Sequence, residues 1–455
     1  MIAKIIVDNK SKQVDKPFDY LVPKELEGKI KIGSRVLVPF SSGNREIEGF
    51  CVGTADTSDS KRLKSIIRTA NDSIGFDEDM LELIEWMHKK YLASYLDIIH
   101  TIVPSGTALK TKEWIILENK SEEKSEIRRC ITEILTDNGG SMEFKGLKEM
   151  CGVDIQNQVR AMIKEGTLKK EYRQSVDIKD KKIKCVKLIC DRETALESAE
   201  ILRRKAPVQA KMLEVLSENE YVSLADLQKF TNGSHSTVKA LEKKNLVNVF
   251  DMTVERDPYW NRVFEKTEKM VSTPEQEHAI DEITNSVKSG DGGIYLLHGV
   301  TGSGKTEVFM QTIENVINMG KSAIMLVPEI SLTPQMVSRF MSRFGGRVAI
   351  FHSGLSAGER YDQWKKIRDG EADIVIGARS AIFTPLKNIG VIIMDEEHSD
   401  TYKSDMSPRY HARETAIFRA SQFGAAVVLA SATPSVESYY KAQTGEYKLI
   451  EMNTR

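Results

Sequence analysis

The stretch Gly299-Val-Thr-Gly-Ser-Gly304-Lys305-Thr306 limits what this chain can become more than any other feature. Its spacing is G-x-x-x-x-G-K-T. An apolar run, Ile294 to Leu297, precedes it, and Phe309, Ile313, Val316 and Ile317 follow at helical spacing. The order is therefore strand, glycine loop, helix. A polyphosphate needs this arrangement, because side-chain-poor backbone points successive N–H groups at phosphate oxygens and the helix N-terminus adds partial positive charge. The spacing assigns Gly299, Thr301, Gly302, Ser303 and Gly304 to the cradle and Lys305 to the β and γ phosphates, and gives the Thr306 hydroxyl a Mg²⁺ ion to hold.

From residue 256 to 455 short apolar runs alternate with helical patterns. Strands are expected at Ile294–Leu297, Ala323–Val327, Val348–Phe351, Ile374–Ile376, Val391–Met394 and Ala426–Ala430. Such runs indicate a parallel sheet covered on both faces, whose ligands gather at the carboxyl ends of the strands. The polar motifs fall there. Asp395-Glu396-Glu397-His398 follows one strand, so that Asp395 enters the Mg²⁺ shell while Glu396 orients and deprotonates an attacking water. Ser431 and Thr433 follow the last strand, placed to sense a γ-phosphate. Upstream, Gln276 carries an amide that matches the N6/N7 edge of adenine, or else completes a capping box with Thr273; this stretch alone supports both readings equally. Three further segments, Pro328–Gln335, His352–Ser356 and Gly377–Ala381, offer hydroxyls, backbone amides or Arg379 along the same sheet edge, which suits a phosphate backbone.

Residues 1–108 read as a small β-rich module closed by a helix over about 77–92. Its strands are expected at Ile2–Val7, Phe18–Val22, Arg35–Phe40 and Ile47–Val52, with Gly28, Gly33 and Ser41–Asn44 as turns. In Phe18-Asp19-Tyr20 two aromatics flank a carboxylate. Aromatics stack on bases and a carboxylate accepts from exocyclic groups or a sugar hydroxyl, yet plain strand packing accounts for the same pattern.

Residues 109–180 and 181–255 repeat one order: three helices, then a strand-like stretch. Three helices with a β ribbon describe a winged-helix unit, whose third helix exposes Arg160 and Lys164 in the first copy and Ser236, Lys239 and Lys243 in the second. Winged helices bind DNA or other proteins, and lysines cover most helix faces, so both uses stay open. Between the copies lies a basic stretch, Lys164–Lys187, which solvates a surface or attracts phosphate.

Composition narrows the setting. A chain of 455 residues holds roughly three domains. Its net charge of -1 leaves nucleic-acid affinity to local patches rather than a global field. The five cysteines form no C-x-x-C pair, which points to reduced thiols and a cytoplasmic setting. No apolar run reaches membrane-spanning length, so no membrane partner is expected.

These segments together resemble the primosomal protein N′ (PriA) family of superfamily 2 DNA helicases. The stretches G-V-T-G-S-G-K-T-E-V, V-P-E-I-S-L-T-P-Q, F-H-S-G-L-S, G-A-R-S-A-I-F-T-P-L, D-E-E-H and S-A-T-P-S-V-E-S carry the likeness, as do D-K-P-F-D-Y and I-G-S-R-V-L-V-P-F near the N-terminus. The resemblance implies a multidomain α/β fold: an N-terminal β-rich DNA-binding domain, a winged-helix middle and the first RecA-like lobe of a helicase. It implies an ATP- and Mg²⁺-dependent 3′ to 5′ DNA helicase of replication restart that recognises stalled forks through the nascent 3′ end and initiates primosome assembly. Phe18, Asp19, Tyr20 and Gly33, with Lys64 more loosely, then form a pocket for the 3′ nucleotide. Asp400–Arg413, with Tyr402, Lys403, Tyr410, His411 and Arg413, is similar to an aromatic-rich loop coupling single-stranded DNA to ATP hydrolysis. Implied partners are forked and single-stranded DNA, primosome and helicase-loading proteins and single-stranded DNA-binding protein. The resemblance also places a second lobe with arginine fingers, and zinc-binding cysteines, in a C-terminal half that these residues do not contain. An arginine finger is worth about 10³ to 10⁵ in rate, so the chain is expected to bind DNA and nucleotide but hydrolyse weakly. The competing readings are a non-motor fork-binding module and another superfamily 2 nucleic-acid translocase.

Overall fold

The computed structural model describes residues 1–9, 11–41, 45–60, 62–69, 75–103, 109–119, 125–176, 181–254, 256 and 265–454. Most of the turn expected at Ser41–Asn44 and the centre of the basic stretch, residues 177–180, lie outside these. Two compact units form, one from Met1–Ile178 with Arg262–Arg455, the other from Lys179–Asn261. No described helix is long and apolar enough to cross a membrane.

In the N-terminal module the four expected strands form at Ile2–Val7, Phe18–Leu21, Arg35–Phe40 and Arg45–Ala55. Two short strands, Lys64–Ser65 and Arg68–Thr69, close the edges of a six-stranded sheet. Lys64 pairs beside Tyr20 in parallel register. One face of the sheet buries Ile5, Val7, Tyr20, Val36, Val38 and Cys51 in a core of its own.

The expected helix runs over Glu78–Tyr91, and a second, Tyr95–Ile102, follows after three residues. Ser94 caps the second helix by accepting from the Asp97 N–H at 3.1 Å. Sequence reasoning missed this helix because eight residues give only two turns, too short a window for the polar positions Asp97, His100 and Thr101 to stand out as a period. Its function in the fold explains the composition. Leu83, Ile84, Met87, Leu96 and Ile99 belong to one hydrophobic core with Phe383, Tyr402, Tyr410, Ala412, Ala416 and Ala420 of the C-terminal region. The N-terminal module is therefore built onto the larger sheet through these two helices.

The larger sheet has seven strands, all parallel, in the order Val348–Phe351, Ile374–Gly377, Ser322–Leu326, Ile389–Met394, Ala426–Ser431, Gly293–Gly299 and Lys448–Met452. The first six match the expected runs. The seventh escaped notice because its burial alternates, as befits an edge strand with one solvated face.

The two middle segments share a topology. In residues 109–176 a three-stranded sheet runs Ser141–Glu143, Leu109–Leu117, Leu168–Val176; in residues 181–254 it runs Val222–Ser223, Lys181–Leu188, Val247–Val254. The helices Glu126–Asp137, Phe144–Cys151 and Gln156–Lys164 of the first copy correspond to Pro207–Ser217, Leu224–Thr231 and His235–Lys243 of the second. The second copy adds a helix, Arg192–Leu202. Arg160, Lys164, Ser236, Lys239 and Lys243 are all exposed.

Candidate nucleotide and nucleic-acid site

Strand order decides which motifs meet. The strand Gly293–Gly299 delivers the glycine loop, and its neighbour Ala426–Ser431 separates it from Ile389–Met394, which delivers Asp395. Ser431 thus stands between the loop and the acidic motif, at the carboxyl edge of the sheet.

Gly299 begins the loop under close packing: a Cβ there would lie 2.7 Å from Ser303 Oγ. Gly302 and Gly304 have φ of 86° and 81°, a left-handed backbone that only glycine adopts without strain. Gly304 is the N-cap of the helix Lys305–Asn318, with Lys305 and Thr306 in its first turn and Thr301 exposed at the loop. The Lys305 ammonium donates to the Gly299 carbonyl at 2.6 Å and more distantly to that of Val300. The Ser303 hydroxyl is buried without a partner among the described residues. An ammonium resting on backbone carbonyls and an unpaired buried hydroxyl beside a helix N-terminus make a donor set that fits a polyphosphate.

Asp395 is the carboxylate at this edge that could hold a cation. Burial, then the charge of Glu396, push its carboxyl up to about 6; the Glu396 N–H and the Lys305 charge work in the opposite direction. A Mg²⁺ ion at the Asp395 carboxylate and Thr306 hydroxyl would offset the cost of ionisation. Glu396 takes φ of 46°, unusual for a residue with a side chain, and its carboxylate lies 3.6 Å from His398 Nδ1. His398 Nδ1 also lies 2.8 Å from Ser431 Oγ, which accepts from the Thr433 N–H at 3.0 Å. The acidic motif and the serine-threonine segment are thereby hydrogen-bonded to one another.

Of the two readings left open for Gln276, the structure shows the capping box and adds a second bond. The Gln276 Oε1 accepts from the Thr273 N–H at 3.0 Å, completing the capping box, and its Nε2 donates to the Ser303 carbonyl at 2.9 Å. Both ends of the amide are engaged, one on the helix cap and one on the glycine loop.

In the N-terminal module Asp19 accepts from the Ser58 hydroxyl at 2.5 Å and lies 3.7 Å from the Lys4 ammonium. Phe18 is half-buried, edge-on to Phe40 at 5.5 Å between ring centroids. Lys64 donates to the Ser41 carbonyl at 2.7 Å. Phe18 and Asp19 alternate in the strand beside Lys64, Phe18 packing partly against the sheet core and Asp19 on the opposite face. Two expectations need correction. The Tyr20 ring is buried in the sheet core and its hydroxyl donates to Pro39 O, because alternation along the strand turns it to the face opposite Asp19. Gly33 permits close approach, but to protein: at φ of 75°, a Cβ there would sit 1.7 Å from the Phe76 carbonyl oxygen.

The segment Asp400–Arg413 folds as a hairpin-like excursion, closed by a bridge between Lys403 and His411 and by the Ser404 N–H donating to Tyr410 O at 2.9 Å. Here three further expectations change. Tyr402 and Tyr410 are buried, so their rings do not face a strand of DNA. Tyr410 packs edge-on to Phe383, while the Tyr402 hydroxyl donates to Asp395 O at 2.6 Å and Leu326 O at 3.1 Å. Arg413 turns inward to Glu397, Ser435 and Ser438. What stays outward is Lys403, with His411 half-buried as the N-cap of the helix Ala412–Phe423. Burial and the Arg413 charge hold the His411 imidazole below its usual pKa.

Arg379 donates to Thr401 O at 3.2 Å and to Lys403 O, so it steadies the hairpin from the neighbouring loop. Sequence reasoning missed the residue that fixes that loop. Arg419 is fully buried and donates to the carbonyls of Ile382, Thr384 and Leu386. Burial pulls its pKa down to about 10. An arginine on an otherwise small and apolar helix face was the available signal.

Comparison with known proteins adds family context. Residues 4–104 match the PriA 3′ DNA-binding domain, and residues 273–442 match the DEAD/DEAH box helicase domain. The replication restart protein PriA of Bacillus subtilis is 39% identical over all of this chain and 56% of its own length. That of Synechocystis is 33% identical over 96% of this chain and 52% of its own. The chain thus spans about half the length of these curated relatives. Among solved structures, RecG bound to a three-way DNA junction superimposes on 41% of this chain and 24% of its own, at 26% identity and a TM-score of 0.32.

Proposed function

Since the chain carries a PriA 3′ DNA-binding domain ahead of a DEAD/DEAH box helicase domain, we propose that it serves replication restart, recognising forked DNA through the nascent 3′ end and coupling that binding to ATP. The observation that carries this reading is the joining of the two domains in one core, formed by the helices Glu78–Tyr91 and Tyr95–Ile102 against the parallel sheet. In this reading Phe18 stacks on the terminal base, Asp19 accepts from the sugar 3′ hydroxyl or the base, and Lys64 faces a phosphate. Gly299 to Thr306 cradle ATP and Mg²⁺ with Asp395, Glu396 positions the attacking water, and Ser431 and Thr433 relay the state of the γ-phosphate. Lys403 and His411 meet the single strand. The outward third-helix lysines of the two winged-helix segments, 109–180 and 181–255, add phosphate contacts.

We further propose that residues 1–455 alone bind nucleotide and DNA but turn ATP over feebly, because one sheet supports one side of the nucleotide. In the wider reading, this binding initiates primosome assembly and helicase loading, and strand movement runs 3′ to 5′. The test is binding of this chain to forks with and without a nascent 3′-OH end, repeated with Phe18→Ala, Asp19→Ala and Lys305→Ala. Loss of end preference in the first two only, with nucleotide binding lost in the third only, is the expected outcome. Equal affinity of the unaltered chain for both forks would overturn the reading and favour a generic translocase. Vigorous DNA-stimulated ATP turnover by these 455 residues would refute the weak-hydrolysis proposal.

A further inference from the structure

The hairpin Asp400–Arg413 is held at two ends. Its inner end is fixed to the acidic motif through Tyr402, whose hydroxyl donates to the backbone oxygens of Asp395 and Leu326. Its outer end meets the N-terminal module at Tyr91, the last residue of the helix Glu78–Tyr91. The Tyr91 hydroxyl donates to Glu414 Oε2 at 3.0 Å and receives the His411 N–H at 3.5 Å, while the Lys403 ammonium sits 5.9 Å above the Tyr91 ring. Lys403 and His411 are the two residues that bridge to close the hairpin. One tyrosine therefore touches both of its strands and the helix that follows. A second tie joins the tip, where the Ser407 hydroxyl donates to Asp97 Oδ2 at 2.8 Å.

We propose that Tyr91 is a positioning residue for the nucleotide site, holding the hairpin in the register in which Tyr402 fixes the Asp395 backbone, so that DNA bound to the N-terminal module and nucleotide bound at the glycine loop influence one another through it. This rests on the proposed function above and adds the route. The physical basis is the contrast between the two ends of the hairpin. Tyr402 and Tyr410 are sealed in the core, so the inner end moves only with the acidic motif. The outer ties are single hydrogen bonds at partly exposed groups, each worth little on its own and easily exchanged with water. A shift confined to the C-terminal end of the helix, at Tyr91, breaks or remakes them, while Leu83, Ile84 and Met87 keep the rest of the helix in the shared core. Burial and the nearby Glu414 carboxylate push the Tyr91 phenol above its ordinary pKa, so it remains a donor over the neutral range.

The test measures linkage rather than rate. The dissociation constant of a fluorescent, non-hydrolysed ATP analogue with Mg²⁺ is determined for the 455-residue chain, free and saturated with a fork bearing a 3′-OH end. Reciprocal coupling between two sites typically amounts to about 5- to 150-fold, and a shift of at least about fivefold is expected for the unaltered chain. In Tyr91→Phe the shift collapses to under about twofold, while affinity for analogue alone and for fork alone changes less than that. Glu414→Ala, which keeps the tyrosine but removes its acceptor, gives the same loss, and the double variant is no worse than either single one because both cut one route. Unchanged coupling in both single variants overturns the proposal, as does the absence of coupling in the unaltered chain. A chain that binds neither the analogue nor the 3′ end preferentially refutes instead the function on which the proposal rests.

Discussion

Arg413 Nη1 lies 3.2 Å from Oε2 of Glu397, whose carboxylate is completely shielded from solvent. The same oxygen accepts from the Ser435 and Ser438 hydroxyls, and the other accepts from the Ser435 N–H at 2.6 Å. The third residue of the acidic motif is thus the centre of a buried cluster joining the hairpin to the segment after Ser431. Removing one partner from a buried ion pair costs about 3 to 5 kcal/mol, because the remaining charge stays desolvated. The three serine donors soften this toward the lower figure. Arg413→Ala is therefore expected to lower stability by roughly 3 kcal/mol in chemical denaturation, with fork affinity intact in the fraction that remains folded. A loss of affinity at unchanged stability would return Arg413 to the DNA-contacting surface.

Asp395 makes stability depend on pH in an unusual direction. Its carboxyl is pushed up to about 6 by burial and by Glu396, against an ordinary value near 4. Between those values the folded state binds more protons than the unfolded one, so the contribution of this group to stability grows as pH falls through 6 and levels off below 4. At neutral pH, without Mg²⁺, the ionised group costs roughly 2 kcal/mol after screening. Asp395→Asn should recover most of that at pH 7 in metal-free buffer and flatten the difference from the unaltered chain near pH 4. Urea titrations of both proteins at the two pH values check the sign.

Gln276 grips the glycine loop from outside, through Ser303 O. If it acts by holding the loop, Gln276→Ala weakens ATP and GTP binding by a similar factor, about 5- to 10-fold for one lost hydrogen bond and a frayed cap. A loss confined to ATP would mean that the amide turns to read the base when nucleotide arrives.

Gly33 faces backbone, not ligand. With φ of 75° and the Phe76 carbonyl oxygen 1.7 Å from where a Cβ would be, Gly33→Ala has to move the chain at both Gly33 and Phe76. It should cost about 2 kcal/mol or more, seen as a lower melting temperature of the unit that holds both domains. A selective loss of 3′-end preference at unchanged melting temperature would restore the ligand-approach reading.

Local signals carried much of this protein. The loop Gly299–Thr306, the acidic run at Asp395 and the apolar strands between them obey short-range rules: glycine where φ is positive, an apolar run where both faces are covered, a carboxylate where a strand ends. Because each rule acts within a few residues, sequence alone determined the parallel α/β sheet, the strand, glycine loop and helix at Gly299–Thr306 and the repeated middle segments. Where a side chain points on a covered surface is not a local property. The family resemblance assigns Tyr20, Tyr402 and Tyr410 to DNA, yet tertiary packing turned each into the core. The same resemblance places Arg413 in the DNA-coupling loop, but Glu397, 16 residues earlier in the chain, is brought against it. Tyr95–Ile102 and the solvent-edged Lys448–Met452 were too short for their periods to stand out. Only the folded chain joins Tyr91 to Glu414 across 323 positions, because that meeting depends on two helices of one domain burying their apolar faces against the other. The glycine loop was written in the sequence, and what connects it to the N-terminal module was decided by that burial.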